Sequence, residues 1–202
     1  ENYGVKRSSG IVVETDSQHY YPQMPYYLLP NIGSDDITTE VKSNYILMPV
    51  AQAIQQLDSY RDTITIKSLL TTTEDAYIEN DPENSTWSKS ADSETGAFDL
   101  GVSITETVDD KETQIIYFSS ASMLSSQIDQ AISGANSKLA ATALTSMCDV
   151  EQTVVIPSKS TSYTNLVFTQ GAVNTWSIIT IAGIPLVLVV IGVMIWMKRR
   201  KQ

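Results

Sequence analysis

The sequence predicts an α/β domain with a mixed sheet, followed by one C-terminal transmembrane helix. Three observations predict it. Strand-like and helix-like patterns alternate along the first 170 residues, which is the order of a layered α/β fold. Ile115-Ile116-Tyr117-Phe118 is a continuous apolar run, the mark of a strand covered on both faces at the centre of such a sheet. From Trp176 to Met197 there are 22 residues without a charge. A helix of that length covers roughly 33 Å, about the thickness of a bilayer's hydrocarbon core.

The elements follow in order. Residues 10–14 (Gly-Ile-Val-Val-Glu) read as a short strand rich in β-branched residues. Asp16 to Pro30 reads as an ordered loop, with Pro22, Pro25 and the tyrosines 20, 21, 26 and 27. Those tyrosines offer either a binding surface or the packing of a long loop. Asn44 to Met48 reads as a strand, and Pro49 as the first position of a helix. Val50, Ala53, Ile54 and Leu57 would form its apolar face. Thr63 to Leu70 alternates as a strand does, and residues 79–95 are an almost wholly polar surface excursion that holds the sequon Asn84-Ser85-Thr86.

Phe98, Leu100, Val102 and Ile104 mark a half-buried strand before the central Ile115–Phe118. A helix with Leu124, Ile128 and Ile132 on one face follows, and Gly134 separates it from a second helix, Asn136 to Met147. Leu139, Ala140, Ala143, Leu144 and Met147 are expected to face inward, with Cys148 as a small buried residue at its end. Thr153 to Ile156 and Leu166 to Phe168 read as two further short strands. The domain is thus expected over residues 1–170, the span over 176–197 and a basic tail over 198–202.

The span carries Trp176 and Trp196 near its ends, where indole rings prefer the headgroup level. Gly183 and Pro185 lie inside it, and a proline in a membrane helix implies a kink. Lys198, Arg199, Arg200 and Lys201 follow at once, so the C-terminus is expected in the cytoplasm and the domain outside the cell membrane. Residues 1–175 carry nine Lys and Arg against 23 acids, a formal net charge of −14. That excludes nucleic acid as an expected partner and leaves the lipid bilayer as the first one. An external domain that opens on Glu1 without an export signal is expected to be the C-terminal part of a longer protein.

Chemistry is sparse. The turn Ser119-Ser120-Ala121-Ser122 lies beyond the carboxyl end of the buried strand, where α/β sheets bind ligands, so Ser119, Ser120 and Ser122 are weak ligand candidates. Capping of the next helix, which needs no ligand, is the favoured account of them. The lone His19 and lone Cys148 give neither a metal set nor a readable nucleophile–base pair, and no phosphate loop or nucleophile elbow occurs. Asp35-Asp36 and Asp109-Asp110 read as solvated turns. No catalytic residue, metal or cofactor is expected.

Four stretches in order carry a family likeness: Asn2-Tyr3-Gly4-Val5 with Gly10–Glu14; Tyr45-Ile46-Leu47-Met48-Pro49 with Leu69-Leu70-Thr71-Thr72-Thr73; Ile115–Phe118 with its serine turn and the helix after it; and Val155-Ile156-Pro157 with the Ile184-Pro185-Leu186 span ending in Lys198-Arg199-Arg200. The chain resembles the C-terminal part of the GldG-like auxiliary components of bacterial ABC transport systems, first linked to gliding motility. The family often has a Gly-Asp-Ser type turn where this chain has Ser119–Ser122. The resemblance implies a glutamine-amidotransferase-like sandwich without amidotransferase catalytic residues. It also implies a non-catalytic role beside an ABC permease and its ATPase. The alternatives are a free-standing surface receptor or adhesion module and, in third place, an anchored hydrolase.

Overall fold

The computed structural model describes residues 2–81, 86–148 and 167–200. The strands come first: β1 (Val5–Arg7), β2 (Ile11–Val13), β3 (Tyr20–Tyr21), β4 (Met24–Leu28) and β5 (Asn31–Ile32). After the short helix α1 (Asp36–Thr39) come β6 (Met48–Pro49), β7 (Ile54–Gln56), β8 (Ile64–Thr71), β9 (Tyr77–Glu79), β10 (Asp99–Val108) and β11 (Lys111–Phe118). Helices dominate the rest: a 3-10 turn (Ala121–Leu124), α2 (Ser126–Ala131), α3 (Ala135–Met147), α4 (Gln170–Ile178), a π-helical turn (Ile179–Gly183) and α5 (Ile184–Arg200).

The fold is mixed α and β, with antiparallel sheets and one C-terminal apolar helix. The expected mixed sheet is corrected: every pairing among the described strands is antiparallel. The main sheet runs β1-β7-β10-β8-β5, with β11 also on β10. Its strands β10 and β11 are joined by a two-residue turn, Asp109-Asp110, rather than by a helix. Both aspartates have positive φ (49° and 59°), as a tight hairpin of matching twist requires.

The centre of the sheet is β10, not Ile115–Phe118. β10 pairs with β8 on one side and with β11 and β7 on the other, and Leu100, Val102 and Ile104 are almost wholly buried. β11 pairs with β10 alone and stands half-exposed at an edge. Its apolar run has a different cause. Ile116 and Phe118 pack on the main core, while Ile115 and Tyr117 pack on a smaller cluster of Ile54, Ile64, Val102 and Ile104. Each face of the strand is partly covered, and the edge position follows from the hairpin.

The helix expected from Pro49 is also corrected. Residues 50–53 are held by other segments: Val50 N–H donates to Tyr26 O (2.9 Å), Val12 N–H to Ala51 O (2.8 Å) and Ser8 N–H to Ala53 O (2.9 Å). Val50 itself has φ 51° and Ile54 enters β7. Backbone groups paired outward leave no helical ladder. The expected strand 44–48 shrinks to Met48–Pro49, with Asn44 and Tyr45 exposed.

Helix α3 forms where expected, but Ala135, Asn136, Leu139 and Ala143 are its buried face. Leu144, Met147 and Cys148 are exposed, against expectation, because the core contact ends one turn earlier. The helix expected through Leu124 breaks at Ser125, whose ψ of 141° separates the 3-10 turn from α2, and Leu124 is exposed. Asn136 is fully buried and locks α3 to the sheet layer. Its Oδ1 accepts from Leu47 N–H (3.2 Å), and its Nδ2 donates to Leu47 O (2.7 Å) and Met123 O (2.8 Å). The expected strand 153–156 lies outside the described residues, as do Asn84 and Ser85 of the sequon and the tail's Lys201; Val167 and Phe168 are not in a strand.

Candidate functional site

The serine turn is dispersed rather than gathered. Ser119 continues from β11 with its N–H on Leu100 O (2.9 Å), and its Oγ is buried with no hydrogen-bond partner. Ser120 is buried and its Oγ donates to Pro49 O at 2.5 Å. Ser122 is exposed, and its carbonyl accepts from Ser125 N–H (3.0 Å). Neither Ser120 nor Ser125 caps the following turn or helix with its side chain. The serines tie the end of β11 to β6 more than they form a ligand cradle.

Buried carboxylates are the other place to look for chemistry. Glu14, almost wholly buried, accepts from Thr15 N–H (2.9 Å), Asp16 N–H (3.0 Å), Thr73 N–H (3.2 Å) and Thr73 Oγ1 (2.9 Å). Glu106 meets Arg61 at 2.9 Å and accepts from Thr63 Oγ1 (3.1 Å). Both are filled by protein donors, and both work as staples between segments. The first acidic pair is structural as well, since Asp35 caps α1 and accepts from Ile37 N–H at 3.1 Å.

An open hollow of about 410 Å³ lies where β7 meets the segment entering β10. Gln55 donates to Glu94 (2.9 Å) and Gln56 to Asp99 (3.1 Å) at its wall. Sequence reasoning missed it, since residues some forty positions apart meet only through strand pairing.

The tyrosine segment, expected to be a loop, is the hairpin β3–β4. Tyr21 and Tyr27 pack against the main core, and Tyr26 lies edge-on to Tyr27 and 4.5 Å from the Trp87 ring. Burial, with the charges of Asp16 and Glu14, pushes the Tyr20 phenol above its ordinary value. His19 sits beside it, with Nδ1 3.2 Å from Leu29 O and Nε2 3.8 Å from Asp16.

This hairpin meets the start of the apolar helix. Thr169 caps α4, accepting from Ala172 N–H (3.2 Å) and donating to Gln18 Oε1 (3.1 Å). Gly171 N–H donates to Ser17 O (2.7 Å), and Gln23 N–H donates to Gln170 Oε1 (2.8 Å). The first free N–H groups of the helix are thus met by its cap and by the domain.

From Gln170 to Arg200 the chain is one helix of 31 residues, long and apolar enough to cross a membrane. Trp176 and Trp196 are exposed on it, and the Arg200 guanidinium lies 5.0 Å from the Trp196 ring centre. The π-helical turn ends at Gly183, with Ile184 N–H donating to Ile179 O. Pro185 follows within one turn; it has no N–H and needs extra room behind it, which a widened turn provides. Lys198, Arg199 and Arg200 close the helix.

No family model, curated protein or solved structure matches the chain.

Proposed function

We propose that this chain is a non-catalytic, membrane-anchored auxiliary subunit of an ABC transport system, with its domain outside the cell. The carrying observation is the helix Gln170–Arg200, apolar enough to span and hydrogen-bonded at its start to Ser17, Gln18 and Gln23 of the domain. A domain held this firmly on its anchor suits a subunit that works at a fixed height beside other membrane components. Lys198–Arg200 at the far end support a cytoplasmic C-terminus. The GldG-like resemblance supports the ABC permease and its ATPase as partners. On the same resemblance we read the domain as related to the glutamine-amidotransferase-like sandwich, built here with antiparallel pairings.

Gly183 and Pro185 support a contact inside the membrane. The space beside Gly183 is open, so a neighbouring helix has room to approach there. The open hollow beside Gln55 and Gln56 favours a second reading, a free-standing surface receptor or adhesion module.

The test is purification of the tagged full chain from its own membranes in mild detergent. The proposal expects a multispan permease and an ATPase to copurify, and to be reduced when residues 176–197 are exchanged for an unrelated span. Full copurification with the exchanged span moves the contact to the external domain. Absence of both partners with the native span rejects the transporter reading in favour of the receptor.

A further inference from the structure

The domain is strongly acidic, yet residues 17–34 contain no Asp, Glu, Lys or Arg. No other uncharged run before Lys159 is as long. It holds the four tyrosines, Pro22, Pro25 and Met24, and it is this run that the structure fastens to the first turn of α4. Proximity to the anchor and absence of charge coincide in one hairpin.

Placing residues 176–197 in the hydrocarbon core sets the height of that hairpin. Trp176, the indole that marks the outer end of the expected span, lies six residues after Gln170 along the helix. At 1.5 Å per residue that is about 9 Å. The headgroup zone on one side of a bilayer is roughly 5–7 Å deep, judged from total and hydrocarbon thickness. Residues at the level of Gln170 and Gly171 therefore stand at the outer margin of the headgroups, within a side chain's reach of them. Tyr21 and Tyr27 are turned to the core, which leaves the turn Pro22-Gln23-Met24 to face outward, with Met24 37% exposed. Phe168, beside the same junction, is also exposed.

We propose that the β3–β4 hairpin is a second membrane contact: its turn rests among the neutral headgroups of the leaflet that receives the helix. The partner is the lipid interface itself. An uncharged turn that presents Pro22, Gln23 and Met24 suits that layer, because it brings no carboxylate to be desolvated among the headgroups. The inference rests on the anchoring part of the proposed function and adds a fixed tilt: helix and hairpin together hold the domain against the surface.

The test uses the full chain in phosphatidylcholine vesicles, with a nitroxide on a fraction of the headgroups. Single-cysteine variants Met24→Cys, Lys111→Cys and Ser177→Cys, each with Cys148→Ser, carry the same fluorophore. Met24 and Lys111 are exposed, so their replacement leaves the fold in place. Quenching at position 24 should be at least twofold that at position 111 and approach that at 177. Equal quenching at 24 and 111, with strong quenching at 177, overturns the hairpin contact and leaves the anchor standing. Weak quenching at 177 overturns the anchor, and the hairpin contact with it. No permease is present, so a positive result cannot come from a protein partner.

Discussion

Gly171 donates its backbone N–H to the carbonyl of Ser17 at 2.7 Å, joining the start of the apolar helix to the domain. A Cβ at this position would collide with the amide end of Gln18, which would have to shift. That amide is already engaged, accepting from Thr169 Oγ1. A contact 151 positions apart in sequence thus fixes where the anchor leaves the domain.

Gly171→Ala should therefore open this junction without unfolding the domain. Displacing Gln18 removes its bond with Thr169 and weakens the Ser17 contact, a loss of about 1–2 kcal/mol. Hydrogen exchange at the amides of residues 171 and 23 should quicken by roughly tenfold, with thermal unfolding of the domain nearly unchanged. Unaltered exchange would mean that Gln18 moves aside freely and the junction does not depend on this glycine.

Asn136 is the polar key of the helix layer. Asn136→Leu leaves the buried N–H and C=O of Leu47 unpaired. The expected loss is about 2–4 kcal/mol, read as a lower denaturant midpoint of the full chain in mild detergent. A loss below about 0.5 kcal/mol would show that water replaces the amide.

Gly101 and Phe118 are register partners, and the Phe118 ring lies 2.8 Å from where a Cβ on Gly101 would be. Gly101→Ala should cost about 1–3 kcal/mol by overpacking. Phe118→Ala, at a half-exposed edge, should cost about 1.5–3 kcal/mol, less than a fully buried phenylalanine. The double variant should be less damaging than the two losses added, by about 1 kcal/mol, since the ring that clashes is gone. Strict additivity would rule out the contact.

The raised ionisation of Tyr20 gives a pH dependence. Burial, then Asp16 and Glu14, disfavour the phenolate in the folded state. The folded protein therefore keeps the proton more tightly than the unfolded chain. This contribution is intact below the ordinary value of 10.0 and is lost as pH rises through the higher folded value. Tyr20→Phe should flatten the loss of stability across that alkaline window and change nothing at neutral pH. Identical alkaline profiles for the two proteins would count against it.

What was legible in the sequence was what local pattern determines. The charge-free run Trp176–Met197 reports its own helix, and the alternation of residues 63–70 and 98–104 reports strands. Ile115–Phe118 signalled a strand, but one only partly covered on each face and at an edge, because pairing order is a property of the whole sheet. The spacing of Val50, Ala53, Ile54 and Leu57 imitated a helix while their backbone groups went to Tyr26, Val12 and Ser8. Asn136 looked like a helix start, and nothing local marks the buried amide that pairs with Leu47. The junction at Gly171 is likewise silent, since it joins Ser17 to a residue far along the chain.

The central claim is that the acidic domain stands outside on a single span. Cys148 is the chain's one cysteine and is exposed at the end of α3, so it reports directly on the domain's side of the membrane. An impermeant maleimide added to intact cells should label Cys148 fully. In a Cys148→Ser protein with a cysteine appended after Gln202, labelling should require permeabilised membranes. The reverse pattern, a shielded Cys148 and a reactive C-terminus in intact cells, would contradict the account.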